Sequence, residues 1–408
     1  MRPLAAGSTW LPVDQVAEGG TTRKIVDRNQ STHRALFVGA FLGLGWACGA
    51  GEKSAAIDSA SSGNRLSEVD ILRSQVEQLL EQTDLPGIVV ALAEAGHEPL
   101  LAAAGFADTE EMIPLHPETP FFIGSISKNV FAVIALQLAE QGLLSLDDPL
   151  SAYVEWPRGD EITIRMLLNH TSGVPDYFSA LSLLKSEDGV PEFFSEPHPP
   201  SDIVQMMPSR DPTFDPGTQQ NYSNTNGLLV GLVIEKVTGM SLGEMLDERI
   251  VSRLGLENTY LYDETTIDRP RARSYCGMSG WGAAPGQLID CSFADEALLD
   301  SADGSIVSSA GDLLRYHQAL RGGELLNDTS WEAMRRVDPD LDNGLAYLIM
   351  SGPMGAHEGN AGRSMGHLSA SIYYLETDLF VVMMLNRDDA PLPMRQFLEQ
   401  RYGAELLP

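Results

Sequence analysis

The chain has 408 residues, too many for a small disulfide-stapled scaffold and enough for a large core or two to three domains. Asp and Glu number 57 against 27 Lys and Arg, a formal charge of −30 that repels phosphate backbones and argues against nucleic-acid binding. At 43% hydrophobic and 21% charged residues, the composition is that of an ordinary globular protein.

Arg28, His33 and Arg34 precede the apolar run Ala35 to Ala47, which ends at Cys48 and a stretch rich in small residues. This reads as an export signal. The run is shorter than the roughly 20 apolar residues a membrane span needs. A cysteine at its end resembles a bacterial lipoprotein signal and makes Cys48 a candidate lipid attachment point, with simple cleavage and an uncleaved anchor or misread start as the alternatives. Gly45, where Leu is usual, and the bulky Trp46 depart from that pattern. Residues 1–27, acidic at Asp14, Glu18 and Asp27, fit poorly as a signal n-region. The expected organisation is a leader over 1–48, a flexible linker over 49–65 and a folded domain over 66–402, exported to the periplasm or anchored at the membrane. There Cys276 and Cys291 either pair or stay as two thiols. No cysteine pattern suits a metal, and no cofactor is expected.

Leu66, Val69, Leu72, Val76 and Leu79 recur at helical spacing behind a Ser67-x-x-Asp70 capping box, which predicts a helix to about Gln82. Gly87 to Ala93 and Leu100 to Gly105 predict a strand hairpin packed on it. Helical patterns follow at Ile162 to Asn169, Gly227 to Val237, Ser241 to Leu254 and Ala310 to Leu320. Ser371 to Leu375 and Phe380 to Leu385 predict a second hairpin, and Pro393 to Tyr402 a last helix. Strands at both ends and helices between them predict one sheet built from the two ends of the chain, with a helical subdomain inserted at roughly 145–300.

Ser125 sits where Phe121-Phe-Ile-Gly-Ser125-Ile-Ser-Lys128 runs into the long helical pattern ending near Gly142, so Lys128 lies one turn up the same face. The positive end of the helix dipole and burial both favour a neutral amine, a usable base for a serine hydroxyl. The plainer reading makes Ser125 a helix cap and Lys128 a solvated charge. A second S-x-x-K match, Ser182 to Lys185, runs into acidic polar sequence and reads as accidental. Gly239-Met-Ser241-Leu-Gly243 spells the nucleophile elbow of α/β-hydrolases but lacks the preceding strand; Ser241-x-x-Glu244 reads as a capping box instead. In the polar loop before Gly227, Tyr222 is a candidate proton relay and Asn224 a candidate ligand for a substrate amide. His357-Glu358-Gly359 stands before the terminal hairpin. There His357 is placed to bind a substrate carbonyl or carboxylate, and the N–H of Asn360 to share an oxyanion hole with that of Ser125. His367 is a rival for that third position.

Ser125-x-x-Lys128, Tyr222-x-Asn224 and a His-x-Gly in this order resemble the serine β-lactamase and penicillin-binding-protein superfamily, within it the class C β-lactamase, D-alanyl-D-alanine carboxypeptidase and family VIII esterase branch. LLNHTSG at 167–173, FDPGTQQNYSNTNG at 214–227, RLGLENT at 253–259 and ADGSIVSSAGDLLRYHQAL at 302–320 carry the resemblance over about residues 66–400. It implies an α/β (α+β) sandwich with a five-stranded antiparallel sheet, a helical subdomain and the serine in a cleft between them. It also makes His170 a structural buttress. The third motif departs from the Lys-Thr-Gly of class C β-lactamases, which removes a cation for a β-lactam carboxylate.

The expected function is a serine hydrolase that cleaves a small-molecule ester, peptide or β-lactam through an acyl-enzyme on Ser125. Neutral Lys128 and Tyr222 would serve it as base or relay. The alternative is a lipid-anchored penicillin-binding or cell-wall-sensing protein with little turnover.

Overall fold

The computed structural model describes residues 55–181, 194, 196–207, 209–277, 287–337, 344–352 and 355–403. The leader, with Cys48, and the second S-x-x-K match from Ser182 lie outside them. The chain divides into two units, Met1–Glu68 and Val69–Pro408. Of the first, residues 55–68 are described, and they are helical. Helix α1 (Ala55–Glu81) thus starts inside the stretch expected to be a flexible linker, and Ser67 falls within it instead of capping it. Ala55, Ala56 and Ala60, the strongest helix formers, carry the helix upstream of the proposed cap. Among the described residues no helix is long and apolar enough to cross a membrane.

In the second unit, β1 (Gly87–Glu94), β2 (Leu100–Asp108) and β3 (Ile113–Pro114) come from one end of the chain. From the other come β9 (Leu348–Gly352), β10 (Gly355–Ser364), β11 (His367–Tyr374) and β12 (Leu379–Leu385). They form one antiparallel sheet in the order β3-β2-β1-β12-β11-β10-β9. The sheet has seven strands where five were expected. The additions are the two edges: β3, two residues ending in Pro114, and β9. Proline lacks the N–H for a ladder bond, so an edge is where such a strand is tolerated.

Period-two alternation splits this sheet between two apolar layers. Ile88, Val90 and Leu92 of β1 join Val381, Met383 and Leu385 of β12 on one face, covered by Leu72, Val76 and Leu79 of α1 and by Phe397 of α11 (Met394–Tyr402). Val89, Ala91 and Ala93 face the other way. That second layer holds α2 (Ile126–Glu140), buried continuously from Ile126 to Leu138, and α9 (Ala310–Arg321). A helix buried on every side, its few polar side chains included, belongs inside a fold.

Helices α6 (Asn224–Thr238) and α7 (Leu242–Leu246) pack on α2, and α3 (Ile164–Leu168), α4 (Tyr177–Leu181) and α5 (Pro200–Met206) pack on α6, with α7 passing through a π turn at Asp247–Val251 into α8 (Ser252–Leu254). Helix α10 (Asp328–Arg335) follows α9. A small sheet of β4 (Phe121–Phe122), β8 (Ile306–Ser308) and β5 (Tyr260–Leu261) leads into α2. A two-stranded ribbon, β6 (Tyr275–Cys276) and β7 (Ile289–Asp290), carries a Cys276–Cys291 disulfide with Cα atoms 5.8 Å apart. Ser241 accepts the N–H of Glu244 in a full capping box that opens α7, which accounts for the elbow-like sequence around it.

The disulfide closes a loop with a sequence separation of 15, for which chain-entropy arguments give about 3 kcal/mol. The Cys276→Ser/Cys291→Ser protein should therefore melt well below the oxidised wild type in a calorimetric scan, and reductant should not lower its melting temperature further.

Candidate active site

Ser125 occupies the N-cap position of α2, yet its side chain makes no capping hydrogen bond. Its Oγ lies 2.6 Å from the Tyr222 hydroxyl and 3.2 Å from Lys128 Nζ. Lys128 is 7% exposed, so it is no solvated surface charge. Its Nζ donates to Asn224 Oδ1 (2.9 Å) and to the carbonyl oxygen of Asp303 (2.5 Å), and lies 5.2 Å from the centre of the Tyr222 ring. The two sequence motifs, nearly a hundred residues apart, thus close on one oxygen.

Both acceptors of Lys128 are themselves held. The Asn224 amide donates to Asp176 Oδ1 (3.0 Å), which also takes the Asn224 N–H (2.7 Å). Asn224 is therefore engaged at both ends of its amide, toward the lysine and toward a carboxylate, instead of standing free for a substrate. Asp303 is buried, and its carboxylate accepts from the Tyr177 hydroxyl (2.9 Å) and from Ser301. Gly227, in the first turn of α6, makes room for this arrangement. A Cβ there would come within 2.6 Å of Asp303 Cβ and 3.3 Å of Lys128 Cε.

His170 lies beneath Tyr222, ring centres 4.6 Å apart. Its Nδ1 accepts from Asn226 Nδ2 (3.0 Å) and from the N–H of Ser223 (3.4 Å), while Ser172 donates to Asn226 Oδ1 (2.7 Å). Burial, with the nearby Lys128 charge second, pushes the imidazole down to about 3. It is neutral near pH 7 and buttresses the tyrosine, in the role the sequence resemblance implied for it.

The third element is where the structure corrects the sequence reading. His357 pairs with Tyr374 across β10 and β11, on the sheet face that packs toward α1 and α11. Its Nδ1 donates to the Gly355 carbonyl (2.9 Å). Gly359 is pressed against Ser371 and Ile372 of β11, not against the serine. The residues of β10 on the α2 face are Glu358, Asn360 and Gly362. Glu358, fully buried, is paired with Arg321 and Arg335. Asn360 turns its amide inward to the Ala346 carbonyl (3.0 Å), which also accepts from Asn129 Nδ2 (3.1 Å). Gly362 runs alongside the nucleophile: a Cβ there would lie 2.0 Å from Ile123 O and 2.8 Å from Ser125 N. The strand that meets Ser125 is thus Asn360-Ala361-Gly362, three residues beyond the His-x-Gly chosen from sequence. Because side chains alternate, a shift by an odd number puts His357 on the wrong face. His367 is fully buried against Phe121 and Phe122, with ring centres 5.4 and 5.8 Å away, and belongs to that aromatic cluster.

Asp176, Asp303 and Gly227 escaped the sequence reading as parts of the site. All three stand in or beside segments whose polarity was visible, but their roles arise from contacts that spacing does not encode. Among the described residues no group of three or more His, Cys, Asp or Glu could hold a metal ion.

The geometry brings a serine hydroxyl at a helix start together with a lysine amine and a tyrosine hydroxyl. Residues 72–401 match the Beta-lactamase family, and the chain belongs to it as a β-lactamase-related serine hydrolase. It is 27% identical to penicillin-binding protein 4* of Bacillus subtilis (strain 168), covering 78% of this chain and 72% of that one. It is 28% identical to a D-aminopeptidase of Brucella anthropi over 72% of this chain, and spans about half (51%) of that relative's length. Among solved structures, a D-stereospecific amidohydrolase from Streptomyces sp. superposes with a TM-score of 0.66 at 25% identity, covering 81% of this chain and 98% of the other.

Two predictions follow from this geometry. Gly362→Ala should lower turnover by at least ~100-fold, because the new methyl meets the Ile123 carbonyl and the Ser125 nitrogen, both backbone atoms that cannot yield as a flexible side chain would. His357→Asn, on the opposite face, should stay within a few-fold of wild type in the same steady-state assay.

The second concerns pH. His170, His367 and His317 are buried, and burial holds them at about 3, 3 and 4 against an ordinary 6.5. Below pH 6.5 the unfolded chain takes up protons that the folded one refuses, so each histidine removes ~1.4 kcal/mol of stability per pH unit down to its folded value. Buried Asp295, raised to about 7 by desolvation, works in the opposite sense from pH 7 toward 4. Replacing one histidine isolates its share. His367→Phe should flatten the unfolding free energy measured in urea between pH 6 and 4 by ~1.4 kcal/mol per unit, and an unchanged slope would contradict the assignment.

Proposed function

We propose that the protein hydrolyses ester or amide bonds through a covalent acyl-enzyme on Ser125. The observation that carries this reading is the placement of Ser125 Oγ between the Nζ of buried Lys128 and the Tyr222 hydroxyl. Asn224 Oδ1 and the Asp303 carbonyl can only accept, so Lys128 spends two hydrogens on them. What remains at Nζ faces Ser125 Oγ. In the neutral amine it is a lone pair able to take the hydroxyl proton; in the ammonium it is a third hydrogen able to steady the developing alkoxide. Tyr222, touching the same oxygen, completes a path by which the proton reaches the leaving alcohol or amine. The freed Oγ attacks the carbonyl, the leaving group departs with that proton, and water then releases the acid and restores the serine hydroxyl. The N–H of Ser125 at the head of α2 is one oxyanion donor, with its partner on the Gly362 segment of β10.

The substrate side follows from β10. Its α2-facing residues, Glu358, Asn360 and Gly362, include no cation, and Glu358 is committed to two arginines. That face of β10 offers a β-lactam carboxylate no charged anchor, so simple acyl esters and amides are the preferred class. The names of two relatives, D-aminopeptidase and D-stereospecific amidohydrolase, support testing D-configured amides first. An exported location fits the disulfide, which persists in oxidising compartments, and the leader with its candidate tether at Cys48.

The test is a panel of p-nitrophenyl esters, D-amino acid p-nitroanilides and a chromogenic cephalosporin with wild type and Ser125→Ala. Ester or amide turnover should exceed cephalosporin turnover, and Ser125→Ala should lose at least ~10³-fold. A mass increment on Ser125 should be trapped at low pH. Undiminished turnover in Ser125→Ala would overturn the reading. A fluorescent penicillin adduct that persists without turnover would favour a binding protein instead.

A further inference from the structure

We propose that Asp176 and Tyr177, consecutive residues at the head of α4, act as one brace that fixes both acceptors of Lys128. The inference rests on the acyl-serine reading above and assigns positioning residues to it. Asp176 sets the orientation of the Asn224 amide. An amide can present either its oxygen or its NH2 to a neighbour, and only the oxygen is compatible with an amine that must donate. Asp176 Oδ1 accepts from both the Asn224 backbone N–H and its Nδ2, which leaves the amide oxygen facing Lys128 at 2.9 Å. The other carboxylate oxygen, Oδ2, is anchored by the Ser179 N–H (2.9 Å) and hydroxyl (2.6 Å), so the carboxylate is not free to rotate away.

Tyr177 holds the second acceptor. It is fully buried; its N–H donates to Thr225 Oγ1 (2.9 Å) in the first turn of α6, and its hydroxyl to Asp303 Oδ2 (2.9 Å). Burial, with Asp303 second, raises the phenol well above its ordinary value, so it remains a donor across the working range. With Ser301 on the other oxygen, the Asp303 side chain is pinned and its carbonyl stays 2.5 Å from Lys128 Nζ. One turn of chain therefore holds the two residues whose oxygens point the remaining position of the amine at Ser125. Neither brace residue touches the Ser125 oxygen, so the effect should appear in the chemical steps and not in substrate binding.

The test compares Asp176→Ala, Asp176→Asn, Tyr177→Phe and the Asp176→Ala/Tyr177→Phe double variant with wild type and Ser125→Ala. The readouts are ester turnover and the rate of Ser125 labelling by a fluorophosphonate, with melting temperature as the folding control. Asp176→Ala should lower kcat and the labelling rate at least 30-fold with KM within threefold. Asp176→Asn keeps an acceptor oxygen toward Asn224 and should recover to within about fivefold of wild type. Tyr177→Phe should lose about tenfold, and the double variant should lose less than the product of the singles, as expected for one unit. The proposal is overturned if folded Asp176→Ala keeps wild-type kcat, or if Asp176→Asn is as impaired as Asp176→Ala. It is also overturned if losses follow melting temperature alone or appear in KM. Should Asp176→Ala fail to fold, Asp176→Asn and Tyr177→Phe decide through the kcat and KM split. If wild type and Ser125→Ala label and turn over alike, the acyl-serine reading itself fails, whatever the brace variants do.

Discussion

Lys128 sits almost wholly out of solvent with two neighbours, Asn224 Oδ1 and the Asp303 carbonyl, that can accept hydrogen bonds and do nothing else. Much of the surrounding architecture serves that constraint. A buried amine must have its hydrogens satisfied, and satisfying two of them with fixed oxygens determines the direction of what is left. That direction is Ser125 Oγ. Helix α2 supplies the serine and the lysine one turn apart, α6 begins with the asparagine, and Gly227 lets α6 approach closely enough for the asparagine and the Asp303 carbonyl to meet the same nitrogen.

The buried histidines show a related economy of charge. His170 is neutral because it is desolvated and close to an amine, and a neutral ring can accept from Asn226 and Ser223 while packing against Tyr222 at a tilt. A protonated ring in that place would lose its acceptor and repel Lys128. The α2 side of the sheet also holds Glu358 between Arg321 and Arg335, fully buried, so β10 carries ionic groups that are matched within the fold.

Much of this was legible in the sequence, and the limits are instructive. The helix behind Ser125, the two hairpins and the pairing of the chain's two ends followed from periodicity, because burial on one face imposes it. Ser125, Lys128, Tyr222 and Asn224 were legible as motifs whose members lie close in sequence. The third motif was not, since β10 offers His357, Asn360 and Gly362 in quick succession and only its register against β11 and α2 decides which face each takes. The GNAG run at 359–362 held the clue: a glycine two residues after a polar side chain on the same strand face. Asp176 and Asp303 were hidden for a different reason, as nothing in a sequence marks a carboxylate that orients an amide from another element. Edge strands β3 and β9 are short and add little periodic signal, and the count of five strands came from the family resemblance instead of from the pattern.

Strand β12 lies at the heart of the sheet, hydrogen-bonded to β1 along one side and to β11 along the other. A ribosome delivers β1 long before its neighbour, so until Leu379–Leu385 emerges the first hairpin has an open edge where its permanent partner belongs. The site inherits that delay, because the segment carrying Gly362 is positioned through β11 and β12. Assembly of the Ser125 site therefore has to await β12, and a chain stopped short of residue 379 would leave its two apolar layers without the strand that joins β1 to β11.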